Sequence, residues 1–325
     1  MTNPASLAHG PGLIGTFLNV FLYGVMVSQT FMYFTTYVHD KTWMKLLVAT
    51  LFIADTINCV FDIYWIYDSL INHFSDPDVL LTGNWVFATD PAMVGTISTI
   101  VQLFFAWRVK VLTDNIWAVI LIIATSLCSV LGGIGTSIGI RIVPQFDEFQ
   151  KFQAIVIVWL IGAAVCDVAI TISLSWYLRR HKTGFSNTDG ILNKIIRLTV
   201  QNGLLTAIWA VIDLITFLVT DTGLHLAFNF PLAKLYTNSL MSSLNSRAGW
   251  KFQSSESTNQ KNIQLSDTYG RHNRDVLSLT TTTRPEVFIN VESHEMVDAP
   301  DSKADVKWTT THHRAQDINS ADESV

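Results

Sequence analysis

Seven apolar stretches occupy the first three quarters of this 325-residue chain, and no such stretch follows them. Several approach or exceed the roughly 20 residues that a helix needs to cross a bilayer. We therefore predict an all-α fold, a seven-transmembrane-helix bundle with a disordered C-terminal tail. The predicted spans cover roughly residues 13–34, 44–68, 91–107, 116–140, 152–178, 191–219 and 223–244.

The composition agrees with a membrane protein. Charged residues make up 14% of the chain and the mean hydropathy is +0.33, whereas a soluble domain carries about 25% charged residues. The net charge is −5 and no strongly basic region exists, which argues against nucleic-acid binding. The three cysteines all fall inside apolar stretches, so they do not indicate a redox compartment.

The distribution of basic residues predicts the orientation of the bundle. Cytoplasmic loops carry an excess of Lys and Arg, and here the basic clusters follow spans one, three, five and seven. The other connections hold only Arg141 and Lys151. We therefore predict an N-terminus outside and a cytoplasmic C-terminus, which also supports the polar seventh stretch as a span. The basic residues are Lys41, Lys45, Arg108, Lys110, Arg179, Arg180, Lys182, Arg247 and Lys251.

A composition change near Arg247 separates two predicted regions, a membrane domain over residues 1–247 and a tail over residues 248–325. The tail is rich in Ser, Thr, Asn and Asp and has too few large apolar residues to bury a core, so it is predicted to be disordered. It is either a phosphorylated docking arm for a cytoplasmic protein or a solubilising extension without a partner.

Charged side chains inside the predicted spans mark a candidate intramembrane polar site. An Asp near a helix centre costs roughly 2.5–3.5 kcal/mol on insertion scales, and such residues are functional by default. Asp55 and Asp167 are placed at mid-membrane, and Asp62 and Asp213 nearer the outside. Lys234 is the one cation near the centre of a span, and we expect it to pair with Asp55 or Asp167. Amides able to bond across helices complete the set: Gln102, Gln201 and Asn202.

Three interpretations of these residues remain open. They are a structural salt bridge with a snorkelling lysine, a ligand or ion site, or a covalent role for Lys234 such as a Schiff base with an aldehyde chromophore. No histidine falls within a confident span, and no nucleotide-binding or serine-hydrolase motif occurs. The prediction is therefore a protein that is not an enzyme, without a catalytic, metal or cofactor site.

Two segments carry a family resemblance. The first begins with RRHKTGF at residues 179–185 and continues to QNGLLTA at residues 201–207; the second is PLAKLYTNSL at residues 231–240, ending in LNSR. Together they resemble a family of multi-pass membrane proteins of mushroom-forming fungi, known only as domain of unknown function 6534. The resemblance touches nearly all of residues 10–250. It implies a seven-helix integral membrane protein and supplies no activity, ligand or catalytic residue.

Three functional hypotheses follow. A receptor or sensor is favoured by seven helices, short outer connections and a Ser/Thr-rich tail. A transporter or channel is the alternative that uses the intramembrane acids. A membrane scaffold with a docking tail is the third. The expected partners are the lipid bilayer and a cytoplasmic protein bound to the tail, with an unknown ligand.

Overall fold

The computed structural model describes residues 9–73, 76, 81–181, 186–220 and 223–267. Within those residues the fold is all-α, with one isolated antiparallel bridge between Thr82 and Gln145. Short helical turns extend α2 and precede α3 and α5, at Asp68–Asn72, Phe87–Thr89 and Phe146–Phe152. The seven long helices are α1 Gly10–Thr36, α2 Thr42–Tyr67, α3 Asp90–Thr113, α4 Ile116–Ile142, α5 Gln153–Arg180, α6 Ser186–Val219 and α7 Leu226–Asp267.

Six of these helices, α1 to α6, contain segments long and apolar enough to cross a membrane. They indicate a multi-pass integral membrane protein, as predicted. The helix α7 is not among the six, and burial explains its polarity. From Leu226 to Arg247 none of its side chains is exposed, so this part of α7 contacts protein instead of lipid. Polar residues are tolerated there if neighbouring helices satisfy them.

Neighbouring helices pack in chain order, and α7 packs against α1 to close the ring. The helix α3 also contacts α5 and α7, which places it towards the middle. Glycine permits the closest approach between α1 and α7, because a Cβ at Gly15 would lie 2.5 Å from the carbonyl oxygen of Leu226. On α4, Gly132 faces Trp159 and Gly139 faces Phe152. Small residues at such contacts are the usual means of close helix packing in membranes.

Several helix boundaries differ from the predicted spans. The helix α3 ends at Thr113 instead of near residue 107, and α7 continues to Asp267 instead of ending near residue 244. Helices commonly extend beyond the bilayer, and hydropathy marks only their apolar part. After Pro231, α7 contains no proline and one glycine, Gly249, so the sequence provides no strong stop. Residues 268–325 of the predicted disordered tail lie outside the described residues.

Aromatic side chains close the end of the bundle that carries His9, which we call the N-terminal end. His9 stacks on Trp65 with ring centroids 5.1 Å apart, Trp65 lies 5.0 Å from Phe87, and Phe87 lies 5.4 Å from Phe146. Phe149 continues the stack. These five residues form the aromatic cap. Burial lowers the pKa of His9 to about 4, so its ring is neutral at neutral pH.

Candidate functional site

Lys234 lies at the centre of the described bundle with no exposed surface. Its Nζ is 3.3 Å from Oδ1 of Asp55, which is also fully buried, and it donates a hydrogen bond to Oδ1 of Asn58. Of the two partners that the sequence suggested, Asp55 and Asp167, the lysine therefore pairs with Asp55. Removal of either charge would leave the other buried without its partner, which is costly in a low-dielectric interior.

Asn58 connects Lys234 to a second acid, Asp90. The Asn58 amide donates to Oδ1 of Asp90 over 2.8 Å, and Asn229 on α7 donates to Oδ2 over 2.6 Å. Asp90 is the first residue of α3 and is almost completely buried. An ion pair between α2 and α7 is thus joined through one amide to the start of α3.

Asp62 extends the same network to α1. The amide of Asn19 donates to Oδ2 of Asp62, and Asp62 interacts electrostatically with both Asp90 and Lys234. The central polar cluster is Asn19, Asp55, Asn58, Asp62, Asp90, Asn229 and Lys234, drawn from α1, α2, α3 and α7. Three carboxyl groups face one ammonium group, so the cluster would carry −2 if every group were ionised. Such an excess inside a bundle must be balanced by protons or by a bound cation.

A second buried cluster surrounds Asp167 on α5. Gln102 on α3 donates to one carboxyl oxygen over 3.0 Å, and Tyr236 on α7 donates to the other over 2.9 Å. Asn202 on α6 donates to the backbone carbonyl of Ser239 over 3.3 Å. These contacts join α3, α5, α6 and α7.

The structure places seven of the eight candidate residues in three buried sites and leaves the eighth, Gln201, exposed. Asp55, Asp62 and Lys234 belong to the central polar cluster, while Gln102, Asn202 and Asp167 belong to the Asp167 cluster. Asp213 is buried on α6 and lines a cavity with Asp90 and Asn229. Gln201 lies exposed on α6 and joins neither cluster.

Sequence reasoning missed four residues of the central polar cluster: Asn19, Asn58, Asp90 and Asn229. A signal existed for Asn58, which lies three residues after Asp55 and four before Asp62, on the same helix face. Asp90 directly precedes Pro91 at the start of the third predicted span, where an acid is typical of a helix N-terminus and does not by itself indicate a buried site. Asn19 stands alone in an uncharged stretch, and nothing in the sequence distinguishes it from a lipid-facing amide.

Between Asn229 and Arg247, polar side chains and carbonyls of α7 bond to neighbouring helices at intervals along the bundle. At the end opposite the aromatic cap, Arg247 pairs with Asp40 over 2.6 Å and its guanidinium lies over the ring of Tyr37. We call this series the α7 polar ladder. Its members are Asn229 to α3, Lys234 to α2, Tyr236 to α5, Asn238 to the Leu22 carbonyl of α1, Ser239 to α6, Ser243 to Arg108 of α3 and Arg247 to the α1–α2 connection.

Pro231 interrupts the backbone hydrogen bonds of α7 inside this ladder. Proline lacks a donor and leaves a carbonyl of the preceding turn without its helical partner. The freed carbonyl is that of Ala227, four residues before the proline, and the next carbonyl, of Phe228, accepts a 2.7 Å hydrogen bond from Nε1 of Trp209 on α6. The irregular segment is therefore bonded to a neighbouring helix, as the membrane interior requires.

The cavities differ sharply in size and lining. Two apolar grooves of about 680 and 760 Å³ open on the lipid-facing surface, one between α4, α5 and α6 and one between α2, α3 and α4. Two internal cavities of about 30 Å³ lie against Asp167 and against Asp213. Among the described residues, no three His, Cys, Asp or Glu side chains converge as ligands for a metal ion.

Comparison with known proteins adds a family match and no activity. Residues 163–249 match the family model described as Family of unknown function (DUF6534). The matched segment includes most of α5, all of α6 from Ser186 and the buried part of α7. It therefore contains Asp167, Asp213 and Lys234, and excludes the partners on α1, α2 and α3. No curated protein and no solved structure matches the chain.

Proposed function

We propose that this multi-pass membrane protein is a receptor or sensor in which α7 transmits a conformational change between the two ends of the bundle. The observation that carries the proposal is the α7 polar ladder, which bonds one buried helix to five others along its length. In the proposed orientation the N-terminus is outside and the C-terminus cytoplasmic, and the charge of the connections supports this. The proposal includes no catalytic step.

The proposed transmission depends on contacts of the α7 polar ladder that can switch from one partner to another. A buried hydrogen bond or ion pair is either made or replaced by another partner, since an unsatisfied polar group is costly inside a bilayer. A stimulus that changes the Asn229–Asp90 bond therefore favours a different set of partners for α7. Because Asn229 and Arg247 belong to one continuous helix, eighteen residues and about 27 Å apart, the change reaches the Arg247–Asp40 pair.

Hydrogen–deuterium exchange of the protein in nanodiscs tests this coupling. Asn229→Ala removes the donor to Asp90, and we expect faster amide exchange over residues 240–247 with little change in α4. Asn72→Ala is the matched control, because Asn72 is exposed at the same end of the bundle. A change confined to the first two turns of α7 would refute the coupling, and so would a uniform increase in all helices.

Proton or ion transport is a second candidate, favoured by the number of buried acids. Asp55, Asp62, Asp90, Asp167 and Asp213 are all buried, against one buried lysine among the side chains that the structure describes. A series of Asp or Glu side chains inside a membrane protein is typical of proton relays. Proteoliposomes with a pH-sensitive dye would detect such a flux, which Asp167→Asn should abolish. Absence of flux in the wild-type protein would exclude this candidate and leave the sensor proposal intact.

A further inference from the structure

A small cavity lies directly beneath the aromatic cap, between α3, α4, α5, α6 and α7. Its volume is about 30 Å³, enough for one or two occupants of the size of water. Phe87 and Phe149 of the aromatic cap line it on one side, and its polar lining includes Asp90, Asp213 and Asn229. All three polar side chains are at least nine-tenths buried.

The unpartnered atoms of this wall are oxygens that accept hydrogen bonds. Oδ1 of Asp213 and Oδ1 of Asn229 are buried and have no hydrogen-bond partner among the described residues. Thr136, which also lines the cavity, donates its hydroxyl proton to the carbonyl of Gly132, so its oxygen can only accept from the cavity. Buried acceptors without partners cost free energy. An occupant that stabilises this wall must present positive charge or donor groups.

Among the described residues, no lysine or arginine lines this cavity. Lys234 does not line the cavity, and its ammonium group is engaged by Asp55 and Asn58. His225 also lines the cavity, where its ring packs edge-on against Phe217 with centroids 5.2 Å apart, an apolar contact that favours the uncharged ring. Two carboxyl groups, Asp90 and Asp213, therefore line one small cavity, and the nearest cation, Lys234, reaches Asp90 only through the Asn58 amide.

We propose that this cavity binds a sodium ion, held by oxygens of Asp90, Asp213, Asn229 and Thr136. Oxygen ligands suit hard cations. The volume excludes a magnesium ion that keeps several waters. Both carboxyl oxygens of Asp90 already accept hydrogen bonds from Asn58 and Asn229, so the wall has too few free oxygens for the six to eight that calcium takes. The site is independent of the proposed sensor role, because a bound ion stabilises the fold whether or not α7 transmits a signal.

Thermal unfolding of the full chain in detergent tests the site with three chloride salts at equal ionic strength. Sodium is expected to raise the midpoint by several degrees, saturably, relative to potassium and to N-methylglucamine. Asp213→Asn should remove that difference. Asp114→Asn is the matched control, because Asp114 is an exposed acid in the left-handed conformation, which asparagine also adopts readily.

Two results would overturn the proposal. Equal midpoints for the wild-type protein in all three salts would mean that water or protons occupy the cavity. A sodium-dependent shift that survives in Asp213→Asn would place the ion elsewhere. If Asp213→Asn does not fold, Asn229→Ala replaces it and should raise the half-saturating sodium concentration at least fivefold; an unchanged value would also contradict the site. The exchange experiment on α7 can fail without affecting any of these outcomes.

Discussion

Exchange of the Asp55–Lys234 pair for uncharged residues would measure what the centre of the bundle contributes to stability. Both side chains are fully buried, with Nζ and Oδ1 3.3 Å apart. Removing one partner of a buried pair costs about 3–5 kcal/mol, while replacing both with apolar residues is often nearly neutral. We therefore expect Lys234→Met and Asp55→Leu each to destabilise strongly, and the double variant to recover much of the loss.

The magnitude can be refined from the contacts. Lys234→Met also removes the charged donor to Asn58, and a hydrogen bond to a charged group contributes about 1.5–3 kcal/mol. The double variant also lacks Lys234, so it does not regain the Lys234–Asn58 hydrogen bond, although Asn58 keeps its bond to Asp90. The double variant should therefore lose only about 1.5–3 kcal/mol. Because the single losses of about 3–5 kcal/mol each sum to about 6–10 kcal/mol, we expect a coupling of about 4–7 kcal/mol between the two substitutions.

Thermal unfolding in detergent, followed by fluorescence, provides the assay. At about 2–4 °C per kcal/mol for chains of this size, each single variant should lose on the order of 10 °C, and the double variant clearly less. Leu46→Met is a matched control, since Leu46 is exposed on α2. The ion-pair interpretation would be refuted if the single variants unfold at the same temperature as the wild-type protein. It would also be refuted if the double variant loses as much stability as the two single variants together.

Two further predictions concern packing and pH. Gly15→Ala should destabilise the α1–α7 contact by about 1–3 kcal/mol through overpacking, because its Cβ would meet the Leu226 carbonyl, whereas Gly24→Ala has open space and should be neutral or slightly stabilising; equal midpoints for the two variants would contradict this. Burial lowers the pKa of His9 from about 6.5 in the unfolded chain to about 4, so its contribution is present above pH 6.5 and lost as the pH falls through 4. His9→Phe should therefore flatten the decline in thermal stability between those values, and an identical profile would show that His9 is exposed.

Part of the site could be predicted because burying a charged side chain has a high free-energy cost, so such residues are rare inside apolar stretches. Asp55, Asp62, Asp167, Asp213 and Lys234 stood out because each occupies an apolar stretch, and the structure buries all five. Amides carry a smaller penalty and give a weaker signal. Gln201 and Asn202 are neighbours on one helix, about 100° apart around its axis, so they point in different directions, and only Asn202 bonds to another helix.

The helix α7 shows that a hydropathy score can also miss a helix, when that helix is polar and buried inside the bundle. Hydropathy scoring assumes that a spanning helix faces lipid, and it finds six candidate spans in the described residues. The buried part of α7 faces only protein, so its sequence can be polar without cost once each group has a partner. The charge pattern of the connections predicted this helix because, by the positive-inside tendency, loop charge depends on the side of the membrane and not on what surrounds the span.

The aromatic cap could not be predicted from the sequence for a different reason, and neither could the hydrogen bonds between the α2–α3 and α4–α5 connections. Gly83 donates its backbone N–H to Pro144 over 2.8 Å, and Phe146 donates to Leu81 over 3.1 Å. These segments are more than 60 residues apart in the chain, and neither carries a local pattern that names the other. Their meeting follows from how the helices are arranged, and the burial of His9 and Asp90 follows from it in turn.

The account depends most on α7 crossing the membrane as a seventh, fully enclosed helix. Glycosylation reporters test this most directly, with one acceptor sequence placed before residue 9 and another placed after residue 267. Seven crossings put the two ends on opposite sides, so we predict that the N-terminal reporter is modified and the C-terminal reporter is not. Modification of both reporters, or of neither, would place the ends on one side and contradict the seventh crossing.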